Sequence, residues 1–262
     1  MSAADGDLLT DALCGLVAEG GRIALKYRPE SVDIAWKEDR SPVTAADLAV
    51  DAFLVDALTR RWPDIPVVTE ERIDSQGLAA ARFFLVDPID GTREFVRSRG
   101  EFTINVALVE NGVPVAGAVC APAAGRLFAG AAGRGAFEQG FADGRRTPIR
   151  PSAPDNDRLA VVASRSHLDA QTEAFVAANR VGRFVQAGSS LKFCLLAAGE
   201  ADLYPRFGPT MEWDTAAGHA VLLAAGGMVE EISGRPLTYG KAGYRNPGFI
   251  AYTPGARFRR TG

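Results

Sequence analysis

The run from Arg82 to Thr92 constrains this chain more than any other. Arg82-Phe83-Phe84-Leu85-Val86 is a short apolar stretch that reads as a buried strand. It leads into Asp87-Pro88-Ile89-Asp90-Gly91-Thr92, which places two carboxylates three residues apart on a turn stiffened by Pro88 and released by Gly91. Such a turn aims Asp87, Asp90 and the Ile89 carbonyl at one point, as oxygen ligation of Mg²⁺ requires, and Thr92 adds a hydroxyl beside it. Taken alone, the same residues also describe an ordinary Asp-Pro, Asp-Gly turn, so the case depends on the rest of the chain.

The bulk properties leave room for a site of this kind. A chain of 262 residues makes one large domain or two modest ones, and 47% hydrophobic residues are ample for a core. A net charge of −3 gives no sign of a surface that coats nucleic acid. Cys14, Cys120 and Cys194 are odd in number and widely spaced, which argues against a disulfide framework and fits a reducing compartment. Met1 to Thr10 lack the basic and apolar regions of a signal peptide, and no apolar run reaches the length of a membrane span. The expectation is a soluble cytoplasmic protein.

Periodicity predicts an amphipathic helix over Leu8 to Tyr27 and a second from the N-cap Thr44, with Asp47 at the third position, to Trp62-Pro63. Ile65 to Val68 reads as a strand ending in Thr69-Glu70-Glu71. Phe102 to Val109 and Val113 to Cys120 flank Asn111-Gly112, a hairpin signal, and Arg126 to Ala131 adds a further strand. Thr147 to Asp157, with Pro148, Pro151 and Pro154, is the candidate boundary between a mixed, largely antiparallel half (residues 1–150) and an α/β half (151–262). In the second half, strands at Leu159 to Ala163, Phe184 to Gln186, Leu203-Tyr204 and Met228 to Ile232 alternate with helices at Asp169 to Asn179, Ser190 to Ala198 and Thr215 to Ala225.

Four acids occupy comparable settings. Glu70, Asp87 and Asp90 follow predicted strands, and Asp214 stands in Trp213-Asp214-Thr215-Ala216-Ala217-Gly218 at the start of a helix. Singly, Asp214 is an N-cap and Glu70 a loop charge. Converging in one cleft they would repel unless a cation neutralised them. His167 and His219 are the only histidines and no cysteine pair has ligand spacing, so the oxygen set selects Mg²⁺, or Mn²⁺, over Zn²⁺. Mg²⁺ held by few carboxylates commonly serves a phosphate substrate.

Thr69-Glu70-Glu71, Asp87 to Thr92 and Trp213 to Gly218, in that order and spacing, resemble the inositol monophosphatase superfamily of Mg²⁺-dependent, lithium-sensitive phosphatases. The resemblance implies a layered αβαβα sandwich of α+β or α/β class. It also implies two or three Mg²⁺ ions held by Glu70, Asp87, the Ile89 carbonyl, Asp90 and Asp214, with Glu70 also in the catalytic set. Thr92 paired with Asp47 would orient the attacking water, although Asp47 is equally complete as a capping residue. The amides of Gly91 and Thr92 would cradle the phosphate.

Further segments narrow the resemblance to the family's bacterial 3'(2'),5'-bisphosphate nucleotidase branch. They are Arg93-Glu94-Phe95, Gly100 to Asn105, Ser164-Arg165-Ser166-His167, Gly188 to Cys194, Ala201 to Thr210 and Asn246 to Phe249. That branch implies removal of the 3'-phosphate of adenosine 3',5'-bisphosphate to leave AMP, in clearance of a by-product of sulfate assimilation. It implies substrate contacts from Ile89, Asp90, Gly91, Thr92, Ser189, Lys192, Arg206 and Asp214, and in some members peripheral attachment to the cytoplasmic face of the inner membrane. His167 is a nucleotide contact or a surface residue, and His219 a packing or solvent-facing one. Glu212, beside Asp214, departs from the pattern and either perturbs the metal centre or points to solvent. An inositol or sugar monophosphatase on the same fold is the nearest alternative. A non-catalytic nucleotide-binding protein would show a broken ligand set, and none is broken.

Overall fold

The computed structural model describes residues 3–27, 34–36, 42–77, 80–96, 101–163 and 169–260. α1 (Ala3–Ala24) is followed by a small ribbon of β1 (Ile34–Trp36) and β2 (Pro42–Thr44), and then by α2 (Ala45–Arg61). The start of α2 is fixed by a capping box: the Thr44 side chain accepts from the Ala46 and Asp47 amides, and the Asp47 carboxylate accepts from the Thr44 amide. β3 (Val67–Thr69), β4 (Arg82–Asp90), the short α3 (Thr92–Val96), β5 (Thr103–Glu110) and β6 (Val113–Ala121) come next. β7 (Arg126–Ala131), β8 (Gly135–Gly140) and β9 (Arg146–Ile149) complete a seven-stranded sheet in sequence order, antiparallel except for the β3–β4 pair. Asn111 (φ 50°) and Gly112 (φ 78°) make the β5–β6 turn that their sequence predicts.

The chain leaves this sheet after Ile149 and enters a second at Leu159. β10 (Leu159–Ala163), α4 (Ala170–Ala178), β11 (Val181–Gln186), α5 (Leu191–Ala197) and β12 (Leu203–Arg206) lead to the two-residue β13 (Thr210–Met211). α6 (Ala216–Ala225), β14 (Met228–Glu231), β15 (Arg245–Asn246) and β16 (Phe249–Tyr252) follow. The five-stranded sheet runs β11-β10-β12-β16-β14, and β13 pairs with β15.

Strand alternation sorts the side chains into layers. Phe84 and Val86 join Leu13 and Val17 of α1 and Val50 and Leu54 of α2 in one core. Phe83 and Leu85, on the opposite face, join Phe193 of α5, Val221 of α6, and Tyr204 and Phe249 of the second sheet. Phe175 of α4 packs on the far face of that sheet with Leu159, Leu203 and Ile250. The result is the layered αβαβα sandwich, with the large sheet buried on both faces and α5 and α6 sandwiched between the sheets.

Several boundaries differ from the sequence reading. β4 runs on to Asp90 rather than ending at Val86, and α1 begins five residues before Leu8, at Ala3. Thr147 to Ile149 belong to the edge strand β9, where Pro148 is tolerated because no further strand needs its N–H. β8, β9 and β16 were not anticipated; β8 is half exposed and rich in glycine, so it carries little alternation.

α6 lies unusually close to the large sheet. A Cβ at Gly117 of β6 would stand 2.5 Å from the Ala217 carbonyl oxygen and 2.9 Å from Ala220 Cβ. Gly117→Ala should therefore cost about 1–3 kcal/mol in urea unfolding through overpacking. Gly15→Ala, on the exposed face of α1 where nothing lies within 4 Å of a new Cβ, should stabilise by about 0.5–1 kcal/mol.

Candidate metal centre and adjoining cavity

Residues three apart on a regular strand point to opposite faces. Asp87 and Asp90 escape this through a bulge: Asp87 pairs with Asn105 and Asp90 with Thr103, so two residues of β4 stand against one of β5. Both aspartates consequently share the face carrying Phe83 and Leu85, which looks toward α5 and α6, while the Ile89 side chain is buried in the core beneath α1 and α2. Pro88, with no N–H to pair, suits the bulge.

Glu70 arrives from the end of β3, parallel to β4, with its amide 3.3 Å from the Val86 carbonyl oxygen. Asp51 of α2 anchors this end of the strand, accepting from the Thr69 hydroxyl at 2.6 Å and from Arg72 Nε at 2.7 Å. Asp214 comes from the turn before α6, where its Oδ2 accepts the Met211 amide at 2.8 Å. Glu70, Asp87 and Asp214 thus each present a carboxylate oxygen within 4.8 Å of the others. Asp87 is 1% exposed, and neither of its oxygens has a hydrogen-bond partner among the described residues. Burial, then the charges of Glu70, Asp90, Asp214 and Glu71, hold its carboxyl well above the usual carboxylate range. Asp214 is raised for the same reason, burial first and then Asp90 and Glu70. An orphaned buried carboxylate among like charges is costly without a cation, and an all-oxygen donor set fits a hard divalent one.

Asp47 divides its carboxylate. Oδ2 accepts the Thr44 amide at 2.8 Å and the Thr44 hydroxyl at 2.5 Å, completing the cap. Oδ1 lies 3.1 Å from Thr92 Oγ1, which is also 3.1 Å from the Ile89 carbonyl oxygen. Burial raises the Asp47 carboxyl against the opposing effect of these hydrogen bonds.

A cavity of about 150 Å³ adjoins the acids, lined by Asp90, Ser189, Lys192, Tyr204, Arg206 and Asp214 among others. Lys192 is 5% exposed; its Nζ donates to the Ser189 carbonyl oxygen at 2.7 Å and stands 5.3 Å from the Tyr204 ring centre. Arg206 donates from one terminal nitrogen to the Pro209 carbonyl oxygen, and its Nε is buried with no partner among the described residues. Ser189 adopts φ 52°, and its hydroxyl lies 2.8 Å from the Asp90 carbonyl oxygen and 3.1 Å from that of Glu101. Gly91 makes room for it: a Cβ there would lie 2.5 Å from Ser189 Oγ.

Glu212 does neither of the things its position suggested. It is fully buried and turned away from the other acids, accepting the amides of Gly240 (2.6 Å) and Lys241 (3.0 Å) and pairing with Lys241 Nζ (2.6 Å). His219 is buried, with Nδ1 2.9 Å from the Tyr239 hydroxyl, and burial lowers its pKa to about 3. His167, with Ser164 to Ser166, lies outside the described residues. The sequence reading missed Ser190, Tyr204 and Asp51. Nothing in Ser189-Ser190 distinguishes the two hydroxyls, and a lone tyrosine in a strand or an aspartate within a helix carries no signal of its own.

Among the described residues no helix is long and apolar enough to cross a membrane. The sequence profile described as the inositol monophosphatase family matches residues 5–253. The chain is 41% identical over 248 residues to the 3'(2'),5'-bisphosphate nucleotidase CysQ of Escherichia coli K12, covering 92% of this chain and 98% of the relative. It is 35% identical to the enzyme of that name from Buchnera aphidicola, with 93% of each covered. Among solved structures, CysQ from Bacteroides thetaiotaomicron superposes with a TM-score of 0.79 at 35% identity, over 93% of this chain and 96% of that one. An IMPase from Thermotoga maritima gives 0.77 at 30%, over 94% and 92%. The bulged aspartate strand, the acids gathered around it and these likenesses along nearly the whole chain agree: the chain belongs to the inositol monophosphatase family.

Proposed function

We propose that this protein is a Mg²⁺-dependent 3'(2'),5'-bisphosphate nucleotidase that releases the 3'-phosphate of adenosine 3',5'-bisphosphate and leaves AMP, clearing a by-product of sulfate assimilation. The observation that carries the substrate is the cavity in which Lys192 and Arg206 stand beside Asp90 and Asp214. An inositol monophosphate has one phosphate to place, whereas a bisphosphate nucleotide brings a second anion that needs cationic donors outside the metal centre. The 41% identity to a relative of that name supports the same substrate.

In this reading Glu70, Asp87, the Ile89 carbonyl, Asp90 and Asp214 hold Mg²⁺, with Mn²⁺ as a substitute. The metal, when bound, supplies charge stabilisation of the phosphoryl oxygens and a more acidic water. Thr92 gives its single proton to Asp47 Oδ1, and its oxygen lone pairs then accept from the attacking water and fix its direction. Asp47 keeps this orientation because its other oxygen is locked into the α2 cap. The amides of Gly91 and Thr92 face the phosphate, and Ser189, Lys192 and Arg206 take the rest of the nucleotide. The inositol monophosphatase alternative draws on the likeness to the Thermotoga maritima protein.

Phosphate release with Mg²⁺ from adenosine 3',5'-bisphosphate should exceed that from inositol 1-phosphate at equal enzyme, and millimolar lithium should inhibit it. A preference for the inositol ester would exclude the substrate assignment. Lys192→Met should raise KM for the bisphosphate by about tenfold or more, as loss of a charge-assisted contact does, with a smaller effect on kcat.

The buried acids also set a pH dependence. Asp87 and Asp214 are raised in the folded chain, so without metal their contribution is fully present at low pH and is lost as pH rises past the ordinary carboxylate range. Metal-free Asp87→Asn should therefore melt above metal-free wild type at neutral to alkaline pH, and the gap should close on acidification. Saturating Mg²⁺ should reverse the order, because only the wild type gains from the ion. Melting curves of both proteins with Mg²⁺ and with chelator check all three outcomes.

A further inference from the structure

Asp214, a member of the carboxylate cluster, and Asp90, which lines the adjoining cavity with it, come from opposite halves of the chain, and one residue bonds to both. The Ser190 amide donates to Asp90 Oδ2 at 2.7 Å, and the Ser190 hydroxyl donates to the Asp214 main-chain carbonyl oxygen at 2.5 Å. Ser190 is 1% exposed, so water does not compete for either bond. The preceding residue, Ser189, holds a left-handed backbone that costs about 1 kcal/mol or more for a side chain of this kind, with its hydroxyl within bonding distance of the Asp90 and Glu101 carbonyl oxygens. The residue that follows this turn sends its amide toward one aspartate and its hydroxyl toward the other. Asp214 is thereby held at both ends, its carboxylate by the Met211 amide and its main chain by Ser190.

We infer that Ser190 is a positioning residue that sets the separation of Asp90 and Asp214, and through it the metal affinity of the site. This inference rests on the metal-dependent reading above. It assigns Ser190 no contact with substrate: its hydroxyl proton is directed into the protein, toward the α6 turn. Ser190→Ala keeps the amide bond to Asp90 and removes only the link to Asp214, which makes it a narrow probe.

The test is calorimetric titration of the metal-free full chain with Mg²⁺, well below its melting temperature, alongside kcat and KM at saturating Mg²⁺. Ser190→Ala should bind Mg²⁺ about tenfold or more weakly, the usual effect of removing a group that orients a ligand, with kcat at saturating Mg²⁺ within about threefold of wild type. A merely structural clip would lower the melting temperature and leave the Mg²⁺ affinity of the folded protein within about twofold of wild type; that result overturns the inference. If the alanine variant does not fold, Ser190→Cys, with similar volume and a weaker donor, reads the same bond with the same two outcomes. If the wild type itself binds no Mg²⁺, the metal reading of the site fails and Ser190 falls with it.

Discussion

The structure turns on repulsion among buried carboxylates. Asp87 is enclosed, neither of its oxygens has a partner among the described residues, and Glu70, Asp90 and Asp214 are close enough to raise its proton affinity. No hydrophobic contact offsets an arrangement of that kind, and burying uncompensated charge costs several kcal/mol per ion. The fold builds it from three elements that have no local reason to meet: the end of β3, the bulge in β4 and the turn before α6. Each is held by its own polar anchor, Asp51 behind Thr69, the β4–β5 register around Asn105 and Thr103, and the Met211 amide on Asp214.

The large sheet supplies the rigidity that such a site needs. Buried on both faces, its β4 and β5 are fixed by two cores at once, so the bulge cannot relax toward a regular register without turning either Phe83 to Val86 or the Asp90 end of the strand to the opposite face. α6 is pinned just as closely, because Gly117 lets its first turn lie directly on β6. The cationic side of the cavity is built on a separate support. Lys192 is held by the Ser189 carbonyl beside the Tyr204 ring, and Tyr204 packs edge-on against the stacked pair of Phe193 and Phe249. The carboxylate cluster therefore leans mainly on the large sheet and the cationic side of the cavity on α5 and the second sheet, and the two meet at the turns before α5 and α6.

Much of this was legible in the sequence because it is written in local chemistry. The Thr44 cap with Asp47 at its third position, the Asn111-Gly112 hairpin and the apolar alternation of β5 and β6 each follow from residues within a few positions of one another. The bulge was not legible. Asp-Pro-Ile-Asp-Gly looks like a turn, and only pairing with β5 shows that the strand continues and that one extra residue places both aspartates on one face. Glu212 was opaque for a related reason: its partners at Gly240 and Lys241 lie far along the chain, so adjacency to Asp214 suggested an electrostatic neighbour where the fold supplies a buried latch. Asp47 shows why one residue can support two readings, since its two oxygens do different things.

The central claim is that the carboxylate cluster is a metal centre facing a cavity for a doubly phosphorylated nucleotide. Anomalous diffraction from crystals soaked in Mn²⁺ with adenosine 3',5'-bisphosphate tests it most directly. The account predicts manganese peaks at about 2.0–2.3 Å from oxygens of Glu70, Asp87 and Asp214, with nucleotide density reaching Lys192 and Arg206. A nucleotide bound away from those cations, or the absence of a manganese peak among the three carboxylates at saturating metal, would contradict it.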